Sequence, residues 1–102
     1  MAQLVVLYHN PEDSSAFDAH YASVHIPLAK SIPGLRDYQI SDGPARTPDG
    51  QSPYHLIATL TFDSVDAIKA GLSSKEGGAA VADLGNFATG GATVLMFDTR
   101  SV

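Results

Sequence analysis

Three stretches, Leu4–Leu7, Leu56–Phe62 and Val94–Phe97, place apolar side chains at consecutive positions rather than only at alternate ones. Successive residues of a strand point to opposite faces, so such runs ask for burial on both sides of a sheet. A chain of 102 residues has few ways to provide that. It is the length of one ordinary domain. The helices available to it, by the count below, can cover one face and no more.

The helical segments follow from capping and periodicity. Asn10-Pro11 ends the first strand, and Asp13, Ser14 and Ser15 are cap residues, so a helix is predicted from near Asp13. Phe17, Tyr21, Val24 and Leu28 recur as one apolar helical face. Pro27 removes a donor inside that helix and should kink its last turn; Pro33-Gly34 ends it. Leu35–Ser41 alternates as a strand, and Asp42–Pro53, rich in proline and glycine, reads as a long, mobile hairpin loop. Tyr54–Phe62 is the third strand. Asp63 or Ser64 can cap a second helix, which Gly71 and Gly77-Gly78 should break. Ala79–Phe87 is then a third helical piece with Val81, Leu84 and Phe87 facing inward, and Ala92–Phe97 is the last strand.

The order β-α-β-β-α-β in about 100 residues implies an α+β, ferredoxin-like split βαβ fold with a four-stranded antiparallel sheet and helices on one face. Right-handed crossovers set the first and third strands side by side at its centre. The bare second face would exceed the few hundred Å² of apolar patch that monomers usually expose. A homodimer packed sheet to sheet is the economical solution, giving a dimeric α/β barrel. Residues 1–102 are read as a single domain of this kind.

Composition excludes several functions. Without cysteine there is no disulfide scaffold, thiolate metal site or cysteine nucleophile. A net charge of −5 and a pI near 5.0 argue against a nucleic-acid partner. No run is long enough for a membrane span and Met1–Tyr8 lacks a positive leader, so a cytoplasmic protein is expected.

Among the four histidines, His20 and His25 are five apart and should diverge by roughly 140° on an α-helix. No metal site is expected, nor any cofactor, since no phosphate loop, flavin or haem motif is present. His9 and His55 fall at one end of the sheet, as exposed rim residues or as a pair. His25 lies at the flank of the buried stripe, with Tyr21 and Tyr38 as nearest polar partners by this count. A neutral imidazole beside phenols in an apolar cleft suits proton transfer. The alternative is that it hydrogen-bonds a backbone carbonyl and closes the helix end. Asp18, Asp37, Asp63, Asp66 and Asp83 read as caps or solvated faces. The aromatic residues, Tyr8 and Phe87 among them, read as core first, and some of them can line a pocket between the first helix and the sheet.

The run Phe17-x-x-x-Tyr21-x-x-x-His25-x-Pro27-Leu28-Ala29, then Ile32-Pro33-Gly34-Leu35 and Tyr38, resembles the EthD family, as does the opening Leu7-Tyr8-x-x-Pro11. That family belongs to the dimeric α/β-barrel superfamily, with methylmuconolactone methylisomerase, polyketide cyclases and small monooxygenases. The resemblance implies the ferredoxin-like protomer, the sheet-on-sheet dimer, and a cleft histidine, here His25, as a candidate acid/base. Mechanisms that need a thiol do not transfer, because this chain has none. Two functions are therefore expected. One is a cofactor-independent isomerase or cyclase on a small cyclic or aromatic-derived compound. In it His25 would move a proton, Tyr21 and Tyr38 would orient a substrate oxygen, and Phe17, Phe62 and Phe97 would shape the pocket. The other is a non-catalytic accessory or small-molecule-binding protein serving an oxygenase pathway of the ethyl tert-butyl ether degradation type.

Overall fold

In the central strand β1 (Ala2–His9), buried and half-buried residues alternate without a slip, Ala2, Leu4, Val6 and Tyr8 pointing to the core. The computed structural model describes all residues from Met1 to Val102. α1 (Ser14–His20) starts where Asp13 Oδ1 accepts the Ala16 N–H at 3.1 Å. A π-helical turn, Tyr21–His25, follows, and then α2 (Ile26–Lys30). Next come β2 (Asp37–Ile40), a small hairpin of β3 (Arg46–Thr47) and β4 (Gly50–Gln51), and β5 (Tyr54–Phe62). α3 (Val65–Ser73), α4 (Lys75–Phe87) and β6 (Ala92–Asp98) complete the chain.

The main sheet is antiparallel in the order β2-β5-β1-β6, which is the ferredoxin-like arrangement with the first and third long strands adjacent. Its register aligns Val6 with Ala58 and Val94, and Leu4 with Leu60 and Met96, so these residues share the helix-covered face. Tyr38 opposite Leu60 and Ile40 opposite Ala58 extend that face onto β2.

Several expectations are corrected. Gly71 and Gly77-Gly78 do not break the second helical region; Ser74 does. Its side chain takes the Gly77 N–H at 3.0 Å and donates to the Gly71 carbonyl, ending α3 and starting α4 in one residue. Asp42–Pro53 is not all loop, since it folds into the β3–β4 hairpin. Val81 and Val24 are exposed rather than inward-facing. On the uncovered face of the sheet the apolar side chains are Val5, Leu7, Ile57, Leu95 and Phe97. β5 also offers Thr59 and Thr61 there, and β2 offers Asp37 and Gln39. Apolar character on that side is thus concentrated on β1 and β6 rather than spread across every strand.

Candidate active site around His25

The π turn is the local event from which the site follows. Pro27 has no N–H to give, and in an uninterrupted α-helix its ring would press on the carbonyl of Ser23. The helix admits one extra residue before it, and the Ile26 N–H reaches back to the Tyr21 carbonyl five residues earlier. Residues four and five apart then fall on one side of the helix instead of diverging. The inward face becomes Phe17, Tyr21, His25 and Ala29, Val24 turns outward, and His20 and His25 come to the same side. The divergence expected of these two histidines is an α-helical rule, and this segment is not α-helical.

Both histidines meet Asp83 of α4. His20 Nε2 lies 2.8 Å from Oδ1 and 3.1 Å from Oδ2, and His25 Nδ1 lies 3.0 Å from Oδ2. Asn86 Nδ2 donates to Oδ1 at 2.9 Å. Asp83 is therefore neither a cap nor a solvated residue. It is buried, with 5% of its surface exposed. Burial alone would raise its carboxyl, but the hydrogen bonds from Asn86, His20 and His25 outweigh that and hold it below the usual carboxylate range.

His25 is 6% exposed. Its nearest polar partners are Asp83 and Tyr8, rather than the expected Tyr21 and Tyr38. Nε2 faces the Tyr8 hydroxyl at a long 3.4 Å. Burial pushes the imidazole below its ordinary value, and the Asp83 carboxylate pulls partly the other way. The Tyr21 and Tyr38 hydroxyls bond each other closely. Burial raises the pKa of Tyr8, Tyr21 and Tyr38, making all three weaker acids, so their hydroxyls stay protonated. The rings of Tyr8, Phe17, Tyr21 and Phe87 pack around the pair of histidines, His20 stacking on Phe87 with centroids 5.2 Å apart. No buried side-chain polar atom lacks a partner.

An apolar pocket of about 70 Å³ lies between this helix and the sheet. His25, Tyr8, Tyr21 and Tyr38 line it beside Ala58 and Leu60, and Val81 and Val94 stand at its side. Of the five residues expected to bind substrate, Tyr21 and Tyr38 are here. Phe17 is buried in the aromatic cluster and borders a separate groove with Tyr21, Asp18 and His55. Phe62 is fully buried away from the pocket, and Phe97, 44% exposed, is on the opposite face of the sheet. Strand parity accounts for Phe97, because its register partner Gln3 points outward too. His9 and His55 do not pair. His9 reaches Thr93 at 3.3 Å and His55 reaches Asp18 at 2.8 Å. No cluster of three or more His, Asp or Glu side chains is disposed to hold a metal ion, and no helix is long and apolar enough to cross a membrane.

The histidine has a consequence for stability. An unfolded chain binds a proton at the ordinary imidazole value of 6.5, whereas buried His25 resists it. Stability should therefore fall as pH drops below about 6.5, the unfolded state taking up the proton first. The Asp83 contribution has the same sign in a lower window: it is complete above 3.8 and lost as pH falls through the lowered folded-state value. Melting temperatures from pH 8 to pH 5 should decline, and the decline should flatten in His25→Gln. Parallel curves for the two proteins would contradict this account.

Comparison with known proteins places the chain by family and fold. Residues 9–91 match the family model of the EthD domain. An uncharacterised 11.0 kDa protein from the thcB–thcC intergenic region of Rhodococcus erythropolis is 37% identical over 103 residues, covering 100% of this chain and 98% of that protein. The crystal structure of an ethyl tert-butyl ether d (EthD) family protein from Bacillus halodurans C-125 superposes with a TM-score of 0.90 at 33% identity, covering 98% of this chain and 99% of that one. SnoaB, a cofactor-independent oxygenase from Streptomyces nogalater, shares the fold at 16% identity and a TM-score of 0.66, with 99% and 94% of the chains covered. With the Tyr-x-x-x-His-x-Pro segment built into the π turn, and the family model spanning residues 9–91, this chain belongs to the EthD family.

Proposed function

We propose that the protein is a cofactor-independent acid/base catalyst, of the isomerase or cyclase type, acting on a small, uncharged cyclic or aromatic-derived compound. The observation that carries the reading is the asymmetry of His25. Its Nδ1 is anchored on Asp83 at 3.0 Å, while Nε2 is turned to the apolar pocket with a single loose partner, Tyr8, at 3.4 Å. A carboxylate on Nδ1 fixes the tautomer that leaves Nε2 basic, and it stabilises the imidazolium formed when Nε2 takes a proton. The proton passes from a substrate carbon or hydroxyl to Nε2 and returns to the rearranged product, so none need be exchanged with solvent. Of the Tyr21 and Tyr38 hydroxyls one donates to the other, and the remaining O–H would donate to an oxygen on which charge develops.

General acid/base transfer contributes ~10²–10⁴-fold, and positioning in a narrow pocket supplies the rest. The test begins with a thermal-shift screen of lactones, quinones and polyketide-like phenols, in which a ligand raises the melting temperature by mass action. With a ligand in hand, His25→Asn should keep its affinity within a few-fold and lower turnover by ~10²–10⁴-fold. Equal turnover in the two proteins would leave the second reading: an accessory or small-molecule-binding protein in an oxygenase pathway of the ethyl tert-butyl ether degradation type. Both readings include a homodimer formed through the outer face of the sheet, supported by the exposed Leu95 and Phe97 beside Val5 and Leu7.

A further inference from the structure

We propose that His20 is a positioning residue: it carries the proton that balances the buried Asp83 carboxylate, and so keeps His25 in the neutral form able to act as a base. The inference rests on the reading of His25 as that base and adds a residue outside the pocket.

The argument is one of charge. Asp83 is 5% exposed and ionised, and no lysine or arginine contacts it. Its partners are Asn86, which is neutral, and the two histidines. The positive charge that can compensate the carboxylate within hydrogen-bonding reach is therefore a proton on one of two imidazoles. Two imidazolium ions on one carboxylate repel each other, so a proton on either ring opposes a proton on the other. The two rings then titrate as a coupled pair rather than as independent groups.

Placement decides which ring holds the first proton. The His20 side chain is 28% exposed, and its ring borders a shallow groove shared with Glu12, Asp13 and Asn86. His25 is enclosed. Tyr8 of β1, Tyr21 of its own π turn and Phe87 of α4 pack against it, with Tyr38 of β2 behind Tyr21. Apart from Asp83, all of the groups facing His25 are uncharged, since the phenols are protonated. A cation is favoured on the ring with water and nearby carboxylates, and disfavoured on the ring among aromatics. The proton affinity of His25 is lowered chiefly by its burial, and charge on His20 adds a smaller part in the same direction. His20 also touches both carboxylate oxygens while His25 touches one. In the resting cluster His20⁺ and Asp83⁻ cancel, and His25 donates its Nδ1–H while Nε2 keeps only its long contact with the Tyr8 hydroxyl.

The experiment is a pH titration of the imidazole resonances by NMR, in the absence of any ligand, for the wild type, His20→Gln and Asp83→Asn. Glutamine retains a donor for Asp83 but no titratable charge. In His20→Gln the His25 midpoint should rise by about one pH unit, a tenfold gain in proton affinity, because Asp83 now has a single cation to recruit. In Asp83→Asn that rise should not occur, and the His25 midpoint should fall below wild type. A His20 that merely packs on Phe87 predicts no movement of His25 in His20→Gln, and a midpoint unchanged within about 0.2 units would overturn the proposal. His9 and His55, which have their own partners, report whether the variant is folded. If His20→Gln does not fold, His20→Asn serves the same purpose and the same criterion applies. The base reading fails separately, through the turnover of His25→Asn.

Discussion

Gly77→Ala should lower the melting temperature by tens of degrees while Gly78→Ala, one residue on, raises it slightly. A methyl group at position 77 would lie 2.0 Å from the Gly71 carbonyl oxygen and 2.7 Å from the Leu72 Cα, and both of these are backbone atoms that no side-chain rotation can move aside. α3 and α4 meet here because Ser74 turns the chain in a single residue, so the first turn of α4 rides directly on the last turn of α3. Admitting the methyl group means separating the helices or unwinding one of them. Overpacking of a side-chain core costs about 1–3 kcal/mol, and a backbone clash of this depth belongs above that range, on the order of 3–5 kcal/mol. At about 4–8 °C per kcal/mol for a domain of this size, the fall is roughly 15–30 °C. A methyl group at position 78 meets nothing within 4 Å. There the substitution only removes glycine's entropy cost in a helix, a gain of about 0.5–1 kcal/mol. Thermal melts of the two variants check the contrast, and a Gly77→Ala protein that melts with the wild type would show that the helix junction is looser than its geometry.

The same pair of glycines shows where sequence reasoning stops. A Gly-Gly dipeptide reads as a helix break because the residue has poor helix propensity. In α4 the pair is kept inside the helix by a tertiary requirement, the contact of Gly77 with Gly71, which no local window contains. Strands were more legible than helices here. Alternation and apolar runs located β1, β5 and β6 and implied their order, because a strand's pattern is set by the two faces it must bury. The site was half legible. Tyr21 and His25 follow from the stripe on the first helix and its flank, and Tyr38 from the strand after it, but Asp83 and His20 do not. Asp83 is 58 residues from His25 in sequence, and nothing in Ala-Asp-Leu-Gly-Asn marks it as buried. The signal available was Pro27, placed two residues after a histidine that is itself five after another. Read as a reason for a π turn rather than for a kink, that spacing would have put both rings on one face.

Pro27 therefore has more influence on the site than its own contacts suggest. The tyrosine and histidine of the Tyr-x-x-x-His-x-Pro segment are stacked by a turn that the proline favours, and Asp83 meets two imidazoles because of it. The resulting cluster is neutral overall in the resting state inferred above, which reconciles a buried carboxylate with an aromatic surround. It also divides the labour between two sides of the helix, His25 on the pocket and His20 on the water.

Phe97→Asp should convert the dimer proposed above into a folded monomer. Phe97 and Leu95 are 44% and 50% exposed, on the face of the sheet that no helix covers, and their neighbours across the strand pair are Gln3 and Val5. Within the protomer Phe97 has little to lose, so the substitution should leave the melting transition cooperative. In an isologous contact the same residue is used twice. Fully burying an exposed phenylalanine contributes about 1.5–3 kcal/mol, and with 44% of Phe97 exposed in the protomer somewhat under half of that is gained at each copy, so losing two weakens association by about 1.5–2.5 kcal/mol. At 1.4 kcal/mol per decade that is roughly tenfold to sixtyfold in the dimer dissociation constant, before the repulsion between two buried carboxylates is added. Sedimentation equilibrium at micromolar concentration should show a dimer for the wild type and a monomer for the variant. Thr59→Asp, on the same face but toward the polar β2 side, should have the smaller effect, since its neighbour there is Gln39. If Thr59→Asp dissociates the dimer and Phe97→Asp does not, the contact is centred on β5 and β2, and the apolar strip on β1 and β6 serves some other surface. A wild-type protein that is monomeric at all concentrations would remove the dimer from both functional readings and leave the site of His25 complete in a single chain.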